Sequence, residues 1–180
     1  MNKSLTAALQ NKLKSIRMLI LDVDGVMTDG GIIFDHQGNE AKKFDVRDGH
    51  GLKMLMRTGV EVIILTGRTS PAVAHRAADL GITGIYQGAK NKLMVFEQIL
   101  REKNILPDLV AYLGDDVVDI PVLRRVGFAA TVADGSDYVK NVVDYITERE
   151  GGRGAVREIC ELILKARGEW LEATAKYELT

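Results

Sequence analysis

Short apolar runs alternate with amphipathic segments along most of this chain. The first run, residues 18–21, reads Met-Leu-Ile-Leu and ends at Asp22, which is typical of a strand buried on both faces of a parallel sheet. Further runs of this kind are residues 60–65, 84–87, 109–113 and 128–132. Strands that alternate with helices imply right-handed crossovers, so the pattern predicts an α/β fold with a doubly wound, Rossmann-like parallel sheet.

Helices are predicted between and after these runs. An N-terminal segment, residues 5–13, repeats leucine at every fourth position, which indicates an amphipathic helix. Asp48 and Ser70 are candidate N-caps of two later helices, and Pro71 suits the first position of the second. The pattern places the remaining helices over residues 49–58, 71–80, 92–103, 116–126 and 154–167.

Two stretches depart from this rhythm. Residues 30–45 contain the apolar Ile32, Ile33 and Phe34 followed by a turn-forming segment around Gly38, which predicts a β-hairpin beside the carboxyl end of the first strand. Residues 168–180 match no element and are expected to carry little of the core. We therefore expect one domain over residues 1–180, with a hairpin flap at 30–45, a tail at 168–180 and no cap domain.

Composition and charge exclude several classes of protein. The chain has 180 residues, 46% of them hydrophobic, which is enough for one good core. Its 24 basic and 25 acidic side chains nearly cancel, so neither nucleic acid nor a membrane surface is an expected partner. Cys160 is the only cysteine, which excludes an intrachain disulfide and a Cys-ligated metal. Because no signal-peptide pattern and no run of about 18 apolar residues occurs, we expect a cytoplasmic protein.

Polar residues follow the apolar runs at the positions where ligands bind to open parallel sheets. Asp22 and Asp24 follow the first run, Thr66 follows the second, and Asp115 follows the fourth, while Lys92 begins a predicted helix. Carboxylate oxygens suit Mg²⁺, and a lysine with a hydroxyl suits phosphate. A lone Asp-x-Asp is often only a capped turn, but the ordered set favours a magnesium-dependent phosphoryl-transfer site.

Each of these residue types has a task in such a reaction. Asp22 is the candidate nucleophile that forms an aspartyl-phosphate, and Asp24 is the candidate general acid/base. Mg²⁺ held by Asp22 and Asp115 would offset the repulsion between carboxylate and phosphate. Thr66 and Lys92 would hold the transferring oxygens.

The motifs resemble those of the haloacid-dehalogenase superfamily. Its four motifs match Asp22-Val23-Asp24-Gly25-Val26, Thr66, Lys92 and Gly114-Asp115-Asp116, and the likeness covers about residues 18–132. The resemblance implies that Asp22 is the nucleophile and Asp24 the acid/base. It also implies that Mg²⁺ is bound by Asp22, the backbone carbonyl of Asp24, and Asp115.

Within this superfamily the chain is similar to the small capless phosphatases that hydrolyse 3-deoxy-D-manno-octulosonate 8-phosphate, a precursor of bacterial lipopolysaccharide. The similarity rests on residues 44–49, 67–68, 86–92 and 151–158. It implies a homotetramer in which a neighbour's hairpin and tail cover the site. The substrate contacts that it implies are Asp24, Asp45, Val46, Arg47, Asp48, Gly49, Lys53, Arg68, Arg76 and Lys92.

This chain departs from that group at two of these positions. The group often has His where Asp45 stands and Arg where Lys53 stands. These exchanges leave the catalytic set intact but change the sugar contacts, because Lys cannot copy the bidentate fork of Arg.

Three alternatives remain open. The substrate of the same chemistry could instead be a nine-carbon sialic or deaminated-sialic acid 9-phosphate. A phosphorylatable receiver domain also places Asp, Thr and Lys around Mg²⁺, but its acidic pair precedes the phosphorylated Asp, whereas here the acidic pair follows Lys92. A catalytically idle assembly domain is disfavoured by the intact Asp22, Asp24, Lys92 and Asp115.

Overall fold

A parallel sheet with a separate hairpin forms the centre of the computed structural model, which describes residues 6–177. Six strands pair in the order β5-β4-β1-β6-β7-β8, all parallel, and β2 pairs with β3 in an antiparallel hairpin. The strands are β1 (Met18–Leu21), β2 (Ile33–Phe34), β3 (Glu40–Ala41), β4 (Glu61–Leu65), β5 (Gly84–Tyr86), β6 (Val110–Leu113), β7 (Phe128–Thr131) and β8 (Tyr145–Ile146).

The strand order reverses beside β1, which lies between β4 and β6. Leu21 at the end of β1 is in register with Ile64 and Leu113, so the three strands end at one level. Ligands bind at such a switch point in open α/β sheets, because the flanking connections leave on opposite faces. The residues that follow β1, β4 and β6 are therefore brought to one edge.

Helices connect the strands and cover both faces of the sheet, as the sequence pattern predicts. They are α1 (Ala7–Ser15), α2 (Val46–Arg57), α3 (Pro71–Leu80), α4 (Lys92–Lys103), α5 (Ile120–Leu123), α6 (Asp137–Lys140), α7 (Ala155–Ala166) and α8 (Trp170–Thr174). The doubly wound α/β fold and the bounds of α3 and α4 are confirmed. None of the helices in residues 6–177 is both long and apolar enough to cross a membrane.

The core consists of two apolar layers, one on each face of the sheet. Leu19 and Leu21 of β1 belong to the layer beneath α1, α2, α3 and α7, whereas Ile20 belongs to the layer beneath α4 and α5. All three side chains are fully buried. Full burial of a Leu or Ile stabilises the fold by roughly 1.5–3 kcal/mol, so a strand buried on both faces is a strong anchor for the residues that follow it.

Two of the predicted helices differ from those in the structure. The helix α2 begins at Val46 rather than Gly49, and its N-cap is Asp45, whose side chain accepts a hydrogen bond from Arg47 N at 2.7 Å. The helix predicted over 116–126 is instead a 3-10 turn, Val117–Asp119, followed by the short α5. The turn forms because the Asp119 carboxylate folds back onto the backbone N–H groups of Asp115 and Asp116.

The tail also differs from its prediction. It contains α8, in which Ala173 and Thr174 are buried, and Trp170 packs against the core. The strand β8 and the short α6 were not predicted. Leu5, the first leucine of the predicted N-terminal helix, and residues 178–180 of the predicted tail lie outside the described residues.

Candidate active site

The backbone pairing of the sheet continues one residue past the central strands and fixes where the polar side chains stand. Asp22 N donates to Leu113 O at 3.0 Å, and Thr66 N donates to Tyr86 O at 2.9 Å. Asp22 and Thr66 are buried, and Asp115 and Asp24 are half-buried at the same edge. The predicted residues after β1, β4 and β6 therefore leave the sheet as neighbours.

Lys92 forms two ion pairs at the centre of this site. It is the first residue of α4, whose N-cap Asn91 accepts a hydrogen bond from Met94 N at 3.1 Å. Lys92 Nζ lies 2.6 Å from Asp22 Oδ2 and 2.6 Å from Asp119 Oδ1. Burial opposes the charge of Lys92, but the two carboxylates outweigh it and raise its pKa above the usual value. Lys92 is therefore held as a buried cation against the candidate nucleophile.

Asp119 is a member of this site to which the sequence analysis assigned no role. It is fully buried, and besides Lys92 it accepts hydrogen bonds from Tyr112 OH at 2.6 Å and from Asp115 N and Asp116 N at 3.1 and 3.2 Å. These four donors use both of its oxygens, so Asp119 is suited to hold Lys92 in place. Its sequence signal is the carboxylate four residues after Asp115, at the end of the same acidic motif.

One group of carboxylates in the described part of the chain can hold a metal ion. Asp22, Asp115 and Asp119 each offer an oxygen within 4.8 Å of the others. Burial first, and the neighbouring carboxylates next, raise the pKa of Asp22 to about 6 and that of Asp115 to about 7. Because Asp119 accepts four hydrogen bonds and Asp22 only two, Asp22 and Asp115 are the better candidate ligands, and their excess negative charge suits a divalent cation.

Gly25 permits the close approach of Asp115 to the loop after β1. Its φ is +82°, and a Cβ there would lie 2.1 Å from Asp115 Oδ2. A larger residue would therefore push the candidate metal ligand away. The resemblance also implies that the backbone carbonyl of Asp24 binds the metal, and this role stays a prediction.

Asp24, the candidate acid/base, is paired with the hairpin. Its Oδ1 contacts Lys42 Nζ, and its Oδ2 lies 3.7 Å from Arg68 Nε. Lys42 Nζ also lies 3.1 Å from Glu40 Oε1. The sequence indicates no role for Lys42 or Glu40, because nothing in the spacing of the hairpin residues shows which of the charges turn toward the site.

The predicted substrate-contact segment, residues 45–49, is divided in the structure between the surface and the core. Val46 is 78% exposed, and Arg47 is exposed and paired with Asp45 at 2.7 Å. Asp48 is instead buried, and its Oδ1 accepts a hydrogen bond from Arg157 N in the first turn of α7 at 2.7 Å. Its position therefore gives Asp48 a structural task, whereas substrate contacts of this segment stay predictions.

Of the predicted substrate contacts Arg68 and Arg76, Arg68 lies near Asp24, whereas Arg76 binds groups elsewhere. Arg76 Nη2 donates to Asp45 O at 3.3 Å, and Nη1 pairs with Asp79 at 2.8 Å. A Cβ on Gly49, which is also buried, would lie 2.2 Å from Arg76 Nη2. Arg76 thus braces the start of α2. The predicted contact Lys53 lies on α2 and is half-buried.

This geometry defines a class of protein, and comparison with known proteins agrees with it. A family model described as haloacid dehalogenase-like hydrolase matches residues 79–159. The 3-deoxy-D-manno-octulosonate 8-phosphate phosphatase of Escherichia coli (strain B / BL21-DE3) is 47% identical over 168 residues, which cover 93% of this chain and 89% of the relative. The chain therefore belongs to the haloacid dehalogenase-like hydrolases.

Solved structures point to the same group of phosphatases. The crystal structure of 3-deoxy-D-manno-octulosonate 8-phosphate phosphatase from Moraxella catarrhalis, in complex with magnesium ion, phosphate ion and the sugar acid KDO, has a TM-score of 0.92 at 41% identity. The match covers 94% of this chain and 98% of the Moraxella catarrhalis chain. The Yersinia pestis phosphatase of the same name has a TM-score of 0.90 at 43% identity, covering 91% and 89% of the two chains.

Proposed function

We propose that this chain is a magnesium-dependent phosphatase that hydrolyses 3-deoxy-D-manno-octulosonate 8-phosphate to the free sugar acid and phosphate. The observation that carries the chemistry is the buried cluster in which Lys92 bonds Asp22 and Asp119 beside Asp115. The choice of sugar rests on relatives that are 46–48% identical over nearly the whole chain. All three are named as phosphatases of 3-deoxy-D-manno-octulosonate 8-phosphate, and none as a phosphatase of the sialic acid 9-phosphate alternative.

In the first half of the reaction, Asp22 attacks phosphorus and the ester bond to the sugar breaks. Asp22 and Asp115 would hold Mg²⁺, which supplies positive charge beside the transferring phosphoryl group. Asp24 gives its proton to the leaving sugar oxygen, so that the sugar departs as an alcohol. The product on the protein is an aspartyl-phosphate.

In the second half, Asp24 takes a proton from the water that attacks this aspartyl-phosphate. Phosphate leaves, and Asp22 is regenerated as a carboxylate while Asp24 is again protonated. Lys92 neutralises charge on Asp22 and on the phosphoryl oxygens, and the Thr66 hydroxyl would donate to those oxygens. Both groups are buried, which strengthens their electrostatic effect relative to that in water.

The setting of the enzyme is also part of the proposal. Relatives that act on this sugar phosphate suggest a step in lipopolysaccharide precursor synthesis, and the buried free thiol of Cys160 is compatible with the reducing cytoplasm. Three adjacent side chains on and before β2, namely Ile32, Ile33 and Phe34, are 52–59% exposed. Such a patch favours a homotetramer with sites near the subunit interfaces.

Turnover measurements test this function. We expect phosphate release from 3-deoxy-D-manno-octulosonate 8-phosphate to exceed that from a nine-carbon sialic acid 9-phosphate, and to stop when EDTA removes the metal. Asp22→Asn should abolish release, because an amide is a poor nucleophile. Turnover in a clean Asp22→Asn preparation would exclude the covalent mechanism, and preference for the nine-carbon substrate would overturn the assigned sugar.

A further inference from the structure

The base of the hairpin inserts a charged side chain into the candidate active site. Lys42 follows β3, and only 1% of its side chain is exposed, although it extends from an exposed hairpin. Its Nζ contacts Asp24 Oδ1 and lies 3.1 Å from Glu40 Oε1. Burial of a lysine charge costs free energy unless carboxylates compensate it. The buried position of Lys42 Nζ therefore depends on its two partners, Asp24 and Glu40.

Arg68 closes these contacts into a ring. Arg68 Nη2 donates to Glu40 Oε1 at 3.1 Å, and Arg68 Nε lies 3.7 Å from Asp24 Oδ2. Two cations and two anions therefore alternate around the ring, and they come from three places in the chain: the loop after β1, the hairpin, and the loop after β4. The ring has no net charge while Asp24 is ionised, and it joins the hairpin to the edge of the sheet.

The two oxygens of Asp24 are not equivalent in this ring. Oδ1 is occupied by Lys42, whereas the 3.7 Å separation of Oδ2 from Arg68 exceeds hydrogen-bond distance. Among the described residues, no hydrogen bond reaches Oδ2. Oδ2 is consequently the oxygen that can carry a proton toward a leaving group, and Lys42 fixes its direction by holding the other oxygen.

We propose that Lys42 is a positioning residue for the acid/base Asp24: it holds Oδ1 so that the proton on Oδ2 faces the leaving oxygen of the substrate. This inference rests on the proposed phosphatase function. As Asp22 forms its bond to phosphorus and the ester P–O bond breaks, the Oδ2 proton moves to the departing oxygen, and Lys42 keeps all its own protons. The proton returns to Oδ2 from the attacking water in the second half.

The test uses leaving groups of different basicity, because a weakly basic oxygen needs little protonation to depart. In the full-length enzyme with Mg²⁺, kcat/KM is measured for a series from p-nitrophenyl phosphate to phenyl phosphate, which reports steps up to departure of the phenol. We expect Lys42→Met to lower kcat/KM for phenyl phosphate about tenfold more than for p-nitrophenyl phosphate, giving a steeper dependence on leaving-group basicity.

Matched variants separate positioning from a general structural effect. Lys43→Gln alters the next lysine, which is exposed and forms no ion pair among the described residues, so its leaving-group dependence should equal that of the wild type. Lys42→Arg keeps the cation and should retain most of the wild-type dependence. If Lys42→Met folds poorly, Lys42→Gln replaces it and should show the same steeper dependence. Equal losses for all leaving groups, or no loss, would overturn the role of Lys42.

This assay does not contain the sugar acid, so it also distinguishes the two proposals. If the enzyme fails to hydrolyse 3-deoxy-D-manno-octulosonate 8-phosphate but Lys42→Met shows the steeper dependence, the assigned substrate is wrong and the positioning role stands. If Lys42→Met lowers only sugar phosphate turnover, Lys42 contacts the sugar and the positioning role is wrong.

Discussion

Asp22, Asp115 and Asp119 bring three carboxylates within 4.8 Å of one another, and Lys92 compensates only part of their charge. Burial first, and this imbalance of charge next, raise the pKa of Asp22 to about 6 and that of Asp115 to about 7. A metal ion and protons therefore compete for the same oxygens. This competition sets how the site should respond to pH.

We expect the affinity for Mg²⁺ to fall as the pH drops below about 7, because protons on Asp115 and then on Asp22 must be displaced before the metal binds. Titration calorimetry near pH 6 and near pH 8, in buffers of different ionisation enthalpy, measures both the affinity and the protons released. Asp108→Asn, which alters an exposed carboxylate in the segment before β6, should keep this pH dependence. An affinity that is the same at both pH values would contradict the assignment of Asp22 and Asp115 as ligands.

At the scale of elements, the contact between α2 and α7 determines the position of the segment 45–49. Asp48 accepts a hydrogen bond from Arg157 N, and a Cβ on Gly51 would lie 3.2 Å from Arg157 Cα. Asp48 thereby satisfies a backbone donor at the start of α7, whose N-cap is Gly154 and has no side-chain hydrogen bond. Asp48 Oδ2 is buried and finds no hydrogen-bond partner among the described residues.

Burial of Asp48 predicts a pH-dependent stability. Burial raises its pKa from 3.8 to about 6, so between these values the folded state binds more protons than the unfolded state. The contribution of this group to the free energy of unfolding therefore falls as the pH rises from about 4 to about 6. Two pKa units correspond to roughly 3 kcal/mol. Asp48→Asn removes this titration. The free energy of unfolding of the variant, relative to that of the wild type, should therefore increase by up to that amount as the pH rises from about 4 to about 6.

Urea unfolding at several pH values between about 4 and about 6 measures this difference. Asp137→Asn is the matched control, because the Asp137 side chain is 95% exposed. Stability curves of Asp48→Asn and the wild type that run parallel over this range would show that Asp48 does not titrate as its burial implies.

The elements that the sequence predicted well are those whose own residues determine them. The four residues of β1 are apolar throughout and need burial on both faces, and α3 has Pro71 at its start and Gly81, with φ +79°, at its end. The polar residues after the strands were predicted for the same reason, since the end of a buried strand fixes their place.

The features that the sequence did not reveal depend on partners distant in the chain. Asp48 resembles an N-cap of its own helix, but its hydrogen bond goes to Arg157, 109 positions away. Lys42 is one of two adjacent lysines, and only the folded hairpin shows that it, rather than Lys43, reaches Asp24. Likewise, α8 is too short for a clear periodic pattern, and its place is set by packing of Trp170 on the core.

At the scale of the whole molecule, the hairpin contains most of residues 29–39, the longest continuous exposed run of the described chain. Its two strands have only two residues each, and β2 is exposed throughout. The ring of charges around Lys42 and Asp24 fixes the base of the hairpin at the site. Ile32, Ile33 and Phe34 present apolar surface to solvent. A neighbouring subunit that covered this surface would also lie close to the substrate.

We therefore expect the triple substitution of Ile32, Ile33 and Phe34 by serine to reduce a tetramer to smaller species in light scattering. Because these side chains are 52–59% exposed in one subunit, the substitution should change the intrinsic core little. Turnover of the sugar phosphate should fall more than that of p-nitrophenyl phosphate, since the proposed neighbouring subunit would supply walls for the sugar. Leu106→Ser, which alters a 68% exposed leucine that precedes β6 at the opposite edge of the sheet, is the control and should leave the mass unchanged. A wild-type protein that is monomeric and fully selective for the sugar phosphate would contradict the shared site.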